Sequence, residues 1–554
     1  MPSLRPAATV LLLREAARAL QAPPAPPEVL MLQRTSKAVF LPGAYVFPGG
    51  ALDDDDASPR AAERVRGMDD ARASARLGLE YGGLAYWVAA ARECFEESGI
   101  LLAQDEAGKP VSAERAAELE RFRGPLNAGS LLFSAFLARE NLFIPGDELA
   151  YYSHWITAPG RPRRFSTRFF VACAPAGQDG AHDKNETVHS VWVSARDALE
   201  KEKRRELELI FPTRSTLTDL AGFGSPQAIL AHAKGLGDIE VNAACWALDH
   251  EGSQRLFRRA DAPYYEIHWS DPEEKGNTVF VIQPGVPKRL DRYVTRVTAP
   301  NPGAMTGPGT NAYLVGEKEL AVIDPGPDIP SHIEKILGEA KGRLRWILCT
   351  HTHVDHSPAA ERLKAATGAQ VIGMPAPEHG NQDRHFKPDR APAHAERLSL
   401  GDITLHAVHT PGHASNHLCY MLEQTRMLFT GDHVMQGSTV VINPPDGDMR
   451  KYLASLEALL AEDIAIIAPG HGYLIGTPHK EVRRLVAHRL AREAKVTAAL
   501  RGRGERSLEE LVPEVYDDVP ARMHPIAARS LLAHLQKLVA DGSAREASGR
   551  YILA

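Results

Sequence analysis

Four short motifs constrain this chain more than anything else in it. THTHVDH at 350–356, TPGH ending at His413, TGD ending at Asp432 and PGHG carrying His471 each lie just past an apolar, strand-like stretch. WILC precedes the first, MLF the third and IAIIA the fourth. In extended backbone alternate side chains share a side, so His351 and His353 point the same way. Asp355 and His356 follow as the chain turns towards the next helix. Strand ends at the C-terminal edge of a sheet are the usual place for a site in α/β proteins. Neutral imidazole offers a lone pair at neutral pH, which makes histidine a common metal ligand. One such cluster alone could be a solvated loop; four strand-end motifs argue for one shared metal site.

The surrounding pattern supports a layered α/β fold. From about residue 291 strands and helices alternate: AYLVG, LAVIDPG, a helix over 331–340, WILCTH, a helix over 357–367, then AQVIGM. The tail from 476 differs. EVRRLVAHRLAREAKVTAALRG reads as a long amphipathic helix, followed by SLEELVPEVY, HPIAARSLLAHLQKLVADG and a closing hairpin. That is the outline of a winged helix-turn-helix. The tail holds 14 Lys and Arg against 10 Asp and Glu, while the whole chain is at −6. Nothing global therefore argues for a polyanionic partner.

At the other end, AATVLLLR at 7–14 and EVLMLQ at 28–33 read as strands separated by the Pro-rich loop QAPPAPP. The first apolar run is too short for a signal region or a membrane span. A polar stretch from Asp53 to about Arg76 looks like a long surface insertion, and helical patterning follows over about 85–98. Residues 236–290 read as a connecting segment. Five cysteines, far apart and odd in number, exclude a disulfide framework and fit a reducing, cytoplasmic compartment.

HTHVDH, TPGH, TGD and PGHG, in this order, resemble the metallo-β-lactamase superfamily of binuclear metal hydrolases. The resemblance implies two Zn²⁺ ions: His351, His353 and His413 on one, Asp355, His356 and His471 on the other, Asp432 bridging. Two such ions roughly 3.5–4 Å apart would clamp a water, lower its pKa and polarise the scissile group. Asp355 is also implied to orient the attacking hydroxide, and Asp324 in IDPG to orient a ligand from behind. His417, four residues after His413, is implied either to stabilise substrate or to pack. NPGAMTGPGTNAYLVG, GDHVM and AHRLARE with the winged-helix tail are most similar to the β-lactamase-like protein 2 branch, which implies cleavage of single-stranded RNA. The same four motifs occur in glyoxalase II-type hydrolases, which implies a thioester substrate, acyl-CoA or acyl-glutathione. A metal-stabilised scaffold whose winged helix binds a partner is the third reading.

RECFEESGI at 92–100 carries a second constellation. Glu93, Glu96 and Glu97 share one helix face, where like charges repel unless a cation offsets them. Hard oxygen ligands of this kind suit Mg²⁺. With FPGG before it, this helix resembles the Nudix box, which implies Mg²⁺ or Mn²⁺ on Glu93, Glu96 and Glu97, with Arg92 bracing the loop. LQRTSKAVFLPGAYVFPGG is similar to the coenzyme A diphosphatase-like branch, which implies nucleoside diphosphate or CoA-type substrates. The pattern departs at Asp56, where the family has Glu, and 35 residues separate it from Arg92 where the box has seven.

The expected architecture is a multidomain α/β chain. A Nudix α/β/α sandwich spans 1–235, the connecting segment 236–290, a metallo-β-lactamase αββα sandwich 291–475 and a winged helix 476–554. Expected partners are a small acyl or nucleotide substrate, or single-stranded RNA, and no membrane.

Overall fold

The computed structural model describes residues 3–16, 25–36, 42–183 and 187–554. Part of the Pro-rich loop, and residues 37–41 of the stretch leading to FPGG, lie outside these. The chain divides into two compact units, Met1–Trp246 and Ala247–Ala554.

The first unit is built on an eight-stranded sheet. Leu4–Arg14 lies inside it, parallel to Arg164–Cys173 and antiparallel to Glu28–Arg34. Ala150–Ile156 and Val241–Ala243 continue the sheet on one side, Thr187–Ser194 and Tyr45–Val46 on the other. Side chains alternate across a strand. Ala8, Val10 and Leu12 therefore enter the core beneath the helix Leu84–Ser98. Leu11 and Leu13 enter the opposite core, under the helices Phe211–Leu220 and Pro226–Gly235. Burial on both faces explains why the strand reads as one apolar run, and the result is an α/β/α sandwich.

The polar stretch 53–76 corrects the sequence expectation of a surface insertion. Asp54–Ala57, Pro59–Ala62 and Asp70–Leu77 are short helices, and Ala61, Ala73 and Leu77 reach the core. Small apolar residues set among charges give these helices a face to bury. Asp70 then fastens the stretch to the long helix, accepting from Gly82 N and Leu84 N at 2.9 Å each.

The second unit stacks two sheets. One runs Lys288–Arg289, Val294–Thr298, Asn311–Val315, Leu320–Ile323, Leu344–Leu348, Gln370–Ile372. The other runs Glu396–Leu400, Ile403–His409, Leu418–Leu422, Met427–Gly431, Ile466–Pro469. Tyr313, Ile323 and Leu348 meet Leu405, Tyr420 and Phe429 in the core between them. Helices Pro330–Ala340 and Ala359–Thr367 cover one outer face. Met449–Leu459 and Pro478–Leu500 cover the other, so the order is αββα.

Pro478–Leu500 continues into the winged helix, whose own core gathers Val496, Leu500, Leu511, Val515, Leu531 and Leu535. Leu508–Val515, His524–Ala540 and the hairpin Ala544–Ala547 with Arg550–Leu553 complete it. Helix His524–Ala540 also packs back onto the sandwich: Ala533 joins the outer core, and Ser530 Oγ accepts from Ile442 N at 3.4 Å. Residues 247–290 contribute the helix Tyr264–Ser270 to this second unit, with Glu266 fully buried.

Candidate metal centre

The ligand motifs meet at one edge of the two sheets. Thr350–His356 leaves the end of Leu344–Leu348, Asp432 follows Met427–Gly431, and His471 follows Ile466–Pro469. His351, His353, His413 and Asp432 form one group whose ligand atoms all lie within 4.8 Å of one another; Asp355, His356 and His471 form another. His353 Nδ1 is 2.9 Å from His351 Nε2 and 3.0 Å from His413 Nε2. Asp432 joins the groups. Its Oδ2 is 3.7 Å from His413 Nε2, while its Oδ1 is 3.5 Å from His356 Nε2 and 3.3 Å from His471 Nε2. Ligands about 2.0–2.2 Å from a common tetrahedral ion stand about 3.4 Å apart, and these separations bracket that value.

Two observations test whether this set fits a metal. His356 Nε2 and Asp432 Oδ1 are buried without a hydrogen-bond partner, a costly state for atoms with nothing to bind. Their neighbours meanwhile fix the rings through the opposite nitrogen. His413 Nδ1 meets Val441 O at 2.8 Å, His471 Nδ1 meets Gly309 O at 3.2 Å, and His356 Nδ1 meets Asp324 Oδ2 at 2.9 Å. Such contacts select the tautomer that presents a lone pair to the centre. The residues fit a metal.

The electrostatics divide the site. Burial, then the neighbouring imidazoles, keep His351 well below its ordinary pKa and bring His353 down to about 3. Both are neutral ligands at physiological pH. Burial opposes charge on His471 too, but Asp432 and Asp355 outweigh it and hold its pKa at about 9. Burial works against the Asp355 carboxylate as well, yet His356 and His471 keep it ionised, at about 2.

Asp324 shows why an apparently ordinary turn residue sits here. Its φ of 51° is left-handed, a conformation most side chains avoid. Thr350 compensates by donating N–H at 2.7 Å and Oγ1–H at 2.9 Å to the two carboxylate oxygens. Gly470 is required by close approach, since a Cβ there would stand 2.8 Å from His356 Cε1 and 2.9 Å from Asp432 Oδ1. His417 is fully enclosed, tilted against His351 at 5.0 Å between ring centroids, with Nδ1 2.9 Å from Thr410 Oγ1. Solvent reaches Asp355, Asp432, His353 and His413 instead. His417 thus packs behind the cluster.

Several residues beside the cluster carry no motif of their own. Thr310 Oγ1 is 3.5 Å from Asp355 Oδ2 and is held by Asn301. Asn311 donates to Pro469 O at 3.1 Å and Gly472 O at 3.0 Å, pinning the loop that bears His471. Buried Glu266 takes Arg296 at 2.6 and 3.0 Å, Lys288 at 2.8 Å, and Leu474 N of that same loop at 3.3 Å. The stretch GPGTN already contains Thr310 and Asn311. Glu266 has no local signal, because its partners lie 22 and more residues away.

In the first unit the Nudix-like residues also meet. Arg92 makes a buried two-pronged pair with Asp56, Nε to Oδ1 and Nη2 to Oδ2 at 2.9 Å each. Its Nη1 bridges Glu93 Oε1 and Glu96 Oε2, both at 2.9 Å. Glu97 Oε2 accepts from Gly49 N at 3.0 Å. A Cβ on Gly50 would lie 2.4 Å from Glu93 Oε1, so the glycine leaves room for that carboxylate. Burial raises Glu93 to about 8 against the pull of Arg92. Asp56 meets Arg92 despite the intervening residues. The three glutamates do not gather into one compact group, because Arg92 stands between Glu93 and Glu96 while Glu97 turns to Gly49. Among the described residues, compact groups of that kind occur in the second unit alone.

Comparison with known proteins follows the same division. The Metallo-beta-lactamase superfamily profile matches residues 305–471. The atrochrysone carboxyl ACP thioesterase of Aspergillus chevalieri is 32% identical over 301 residues, 52% of this chain and 93% of that protein. The chain belongs to the metallo-beta-lactamase superfamily. A Drosophila melanogaster beta-lactamase-like protein 2 homolog is 30% identical, across 46% of this superfamily member and 91% of its own length. The Beta-lactamase associated winged helix domain matches 507–550, and the NUDT19 Nudix domain matches 4–81 and 70–218. A crystal structure of a Nudix hydrolase from Alicyclobacillus acidocaldarius is 28% identical, covering 42% of this chain and 97% of its own, with a TM-score of 0.34. By those profiles, this metallo-beta-lactamase superfamily hydrolase carries an N-terminal Nudix domain and a C-terminal winged helix. Among its described residues no helix is long and apolar enough to cross a membrane.

Proposed function

We propose that the metallo-beta-lactamase site is a dinuclear zinc centre that hydrolyses thioesters. The observation that carries the reading is Asp432, whose two oxygens face two separate ligand groups. His351, His353 and His413 would hold one ion, Asp355, His356 and His471 the other, with Asp432 shared. An all His/Asp donor set without thiolate suits catalytic zinc. Bound zinc would supply a water of lowered pKa and polarise the carbonyl. Asp355, ionised and steadied by Thr310, can accept a hydrogen bond from that water and aim it. Asp324 sets the His356 ring, and His417 supports His351 from behind.

Two observations favour a thioester over single-stranded RNA. The relative from Aspergillus chevalieri is named a thioesterase and aligns over nearly its whole length. The basic tail is also largely occupied. Eight of its fourteen Lys and Arg donate to neighbouring carboxylates or carbonyls, Arg492 to Asp518 and Arg489 to Val440 O among them. Those cations are committed to packing rather than to phosphates, whose contacts would carry RNA affinity.

In the Nudix domain, Mg²⁺ or Mn²⁺ on Glu93, Glu96 and Glu97 would have to displace Arg92 Nη1 from Glu93 and Glu96, with a nucleoside diphosphate or CoA-type compound as substrate. Five cysteines, far apart and odd in number, suit a reducing compartment, hence a cytoplasmic location. The test is a zinc-loaded full chain, assayed on acyl-CoA, acyl-glutathione and single-stranded RNA beside its Asp432→Ala variant. Thioester hydrolysis lost with Asp432 and about two zinc ions per chain is the expected result. RNA cleavage lost with Asp432, with every thioester left intact, would overturn it.

A further inference from the structure

A loop beside the metal centre presents two cations that make no ion pair with the fold. Residues 377–388 lead away from Gln370–Ile372 and cross the start of the ligand stretch. Gln382 pairs with His353 through the backbone, and Asp383 N donates to Thr352 O at 2.6 Å. Ser357 Oγ donates to Asp383 Oδ2 at 2.8 Å, and Phe386 is buried. These anchors hold the loop against the centre, while Arg384 and Lys387 stay exposed.

Their neighbours make the contrast. Between 345 and 426, Arg345, Arg362, Lys364, Arg390, Arg397 and Arg426 each have a carboxylate partner. Among the described residues of that stretch, Arg384 and Lys387 alone have no such ion pair; Arg384 reaches only the carbonyl of Glu378, at 2.9 Å. Two exposed cations without an ion pair, on a loop anchored beside the centre, can meet an anion there.

Other loops at the centre offer the opposite chemistry. Val354, between the ligands His353 and Asp355, is 45% exposed. Met305 is 53% exposed at the tip of the turn closed by Gly303 and Gly307, and the return leg of that turn bears Gly309 and Thr310. Exposed apolar side chains this close to a reacting centre suit an apolar acyl group.

We propose that the substrate is a thioester carried on phosphopantetheine: Arg384 and Lys387 take the carrier's phosphate, and Met305 and Val354 contact the acyl chain. The proposal rests on the thioester reading above. The phosphopantetheine of coenzyme A and that of an acyl carrier protein share this chemistry. Acyl-pantetheine lacks the phosphate, and acyl-glutathione lacks both phosphate and arm.

The experiment compares kcat and KM of the zinc-loaded full chain on acyl-CoA, acyl carrier protein, acyl-pantetheine and acyl-glutathione, with single-stranded RNA alongside. The double variant Arg384→Gln with Lys387→Gln is run on the same panel. Each charge-assisted hydrogen bond to a phosphate is worth roughly 10- to 100-fold. The phosphorylated carriers are therefore expected to exceed acyl-pantetheine in kcat/KM by at least that factor. In the double variant that ratio should collapse towards one through KM rather than kcat. A preference for acyl-CoA over acyl carrier protein, or the reverse, identifies the carrier and supports the proposal either way. Equal kcat/KM on acyl-CoA and acyl-pantetheine, or a ratio the double variant leaves unmoved, overturns the proposal and leaves the thioester reading standing. Cleavage of RNA with no thioester touched overturns both.

Discussion

Glu266 is the residue whose loss should be felt furthest. It is fully buried, faces Arg296 and Lys288, and accepts a backbone N–H from the loop after His471. Burial works against its charge, yet those two cations hold its pKa down at about 2, against about 4.3 for an ordinary glutamate. A lowered carboxylate pKa stabilises the fold above the ordinary value, and that stability is lost as pH falls through the folded one. Glu266→Gln strands Arg296 in the core and should cost about 3–5 kcal/mol at neutral pH. The difference from the parent chain should narrow between about pH 4 and pH 2. Denaturant titrations across that range measure it, and a gap that does not narrow would show that the charge of Glu266 is not what matters. At this scale the sequence is legible where ligands sit in motifs. His351, His353, Asp355, His356, His413, Asp432 and His471 converge, and Asp324 stands behind His356. Glu266 was silent, because its role comes from contacts between segments far apart in the chain.

Among the elements, the meeting of Gly49–Ala51 with the helix Leu84–Ser98 decides the Nudix site. Gly50 lets the strand approach Glu93, and a Cβ there would meet the flexible end of that side chain. Gly50→Ala should therefore leave the thermal midpoint within a few degrees while removing most Mg²⁺-dependent diphosphatase activity. A variant that melts far lower would mean the glycine serves the backbone, and one with full activity would release Glu93 from the site. The Arg92–Asp56 pair shows how far pattern reading carries here. The motif gave both residues, but their 35-residue separation hid the contact. Short helices rich in Ala, Asp and Arg, such as Asp70–Leu77, look solvated in sequence and still bury one face. The strands were legible because burial on both faces or alternation leaves a period in the sequence. The winged helix was legible because its long helix, second helix, third helix and hairpin follow in order.

Across the whole molecule, each compact unit has hydrophobic clusters of its own among the described residues. Two of them belong to Met1–Trp246 and four to Ala247–Ala554. The winged helix, by contrast, shares the helix Pro478–Leu500 with the sandwich and should unfold with it. Two units with separate cores need not melt together, and a chain of this size departs from two-state behaviour. Calorimetry of the zinc-loaded full chain should resolve two transitions. A metal that binds only the folded state stabilises by mass action, so a chelator should lower one transition and leave the other in place. Glu266→Gln should move that same transition, because Glu266 holds the loop of a proposed zinc ligand. One transition that shifts as a whole on chelation would mean the units are thermodynamically coupled. Two transitions of which Glu266→Gln moves the chelator-insensitive one would place its network outside the metal-bearing fold.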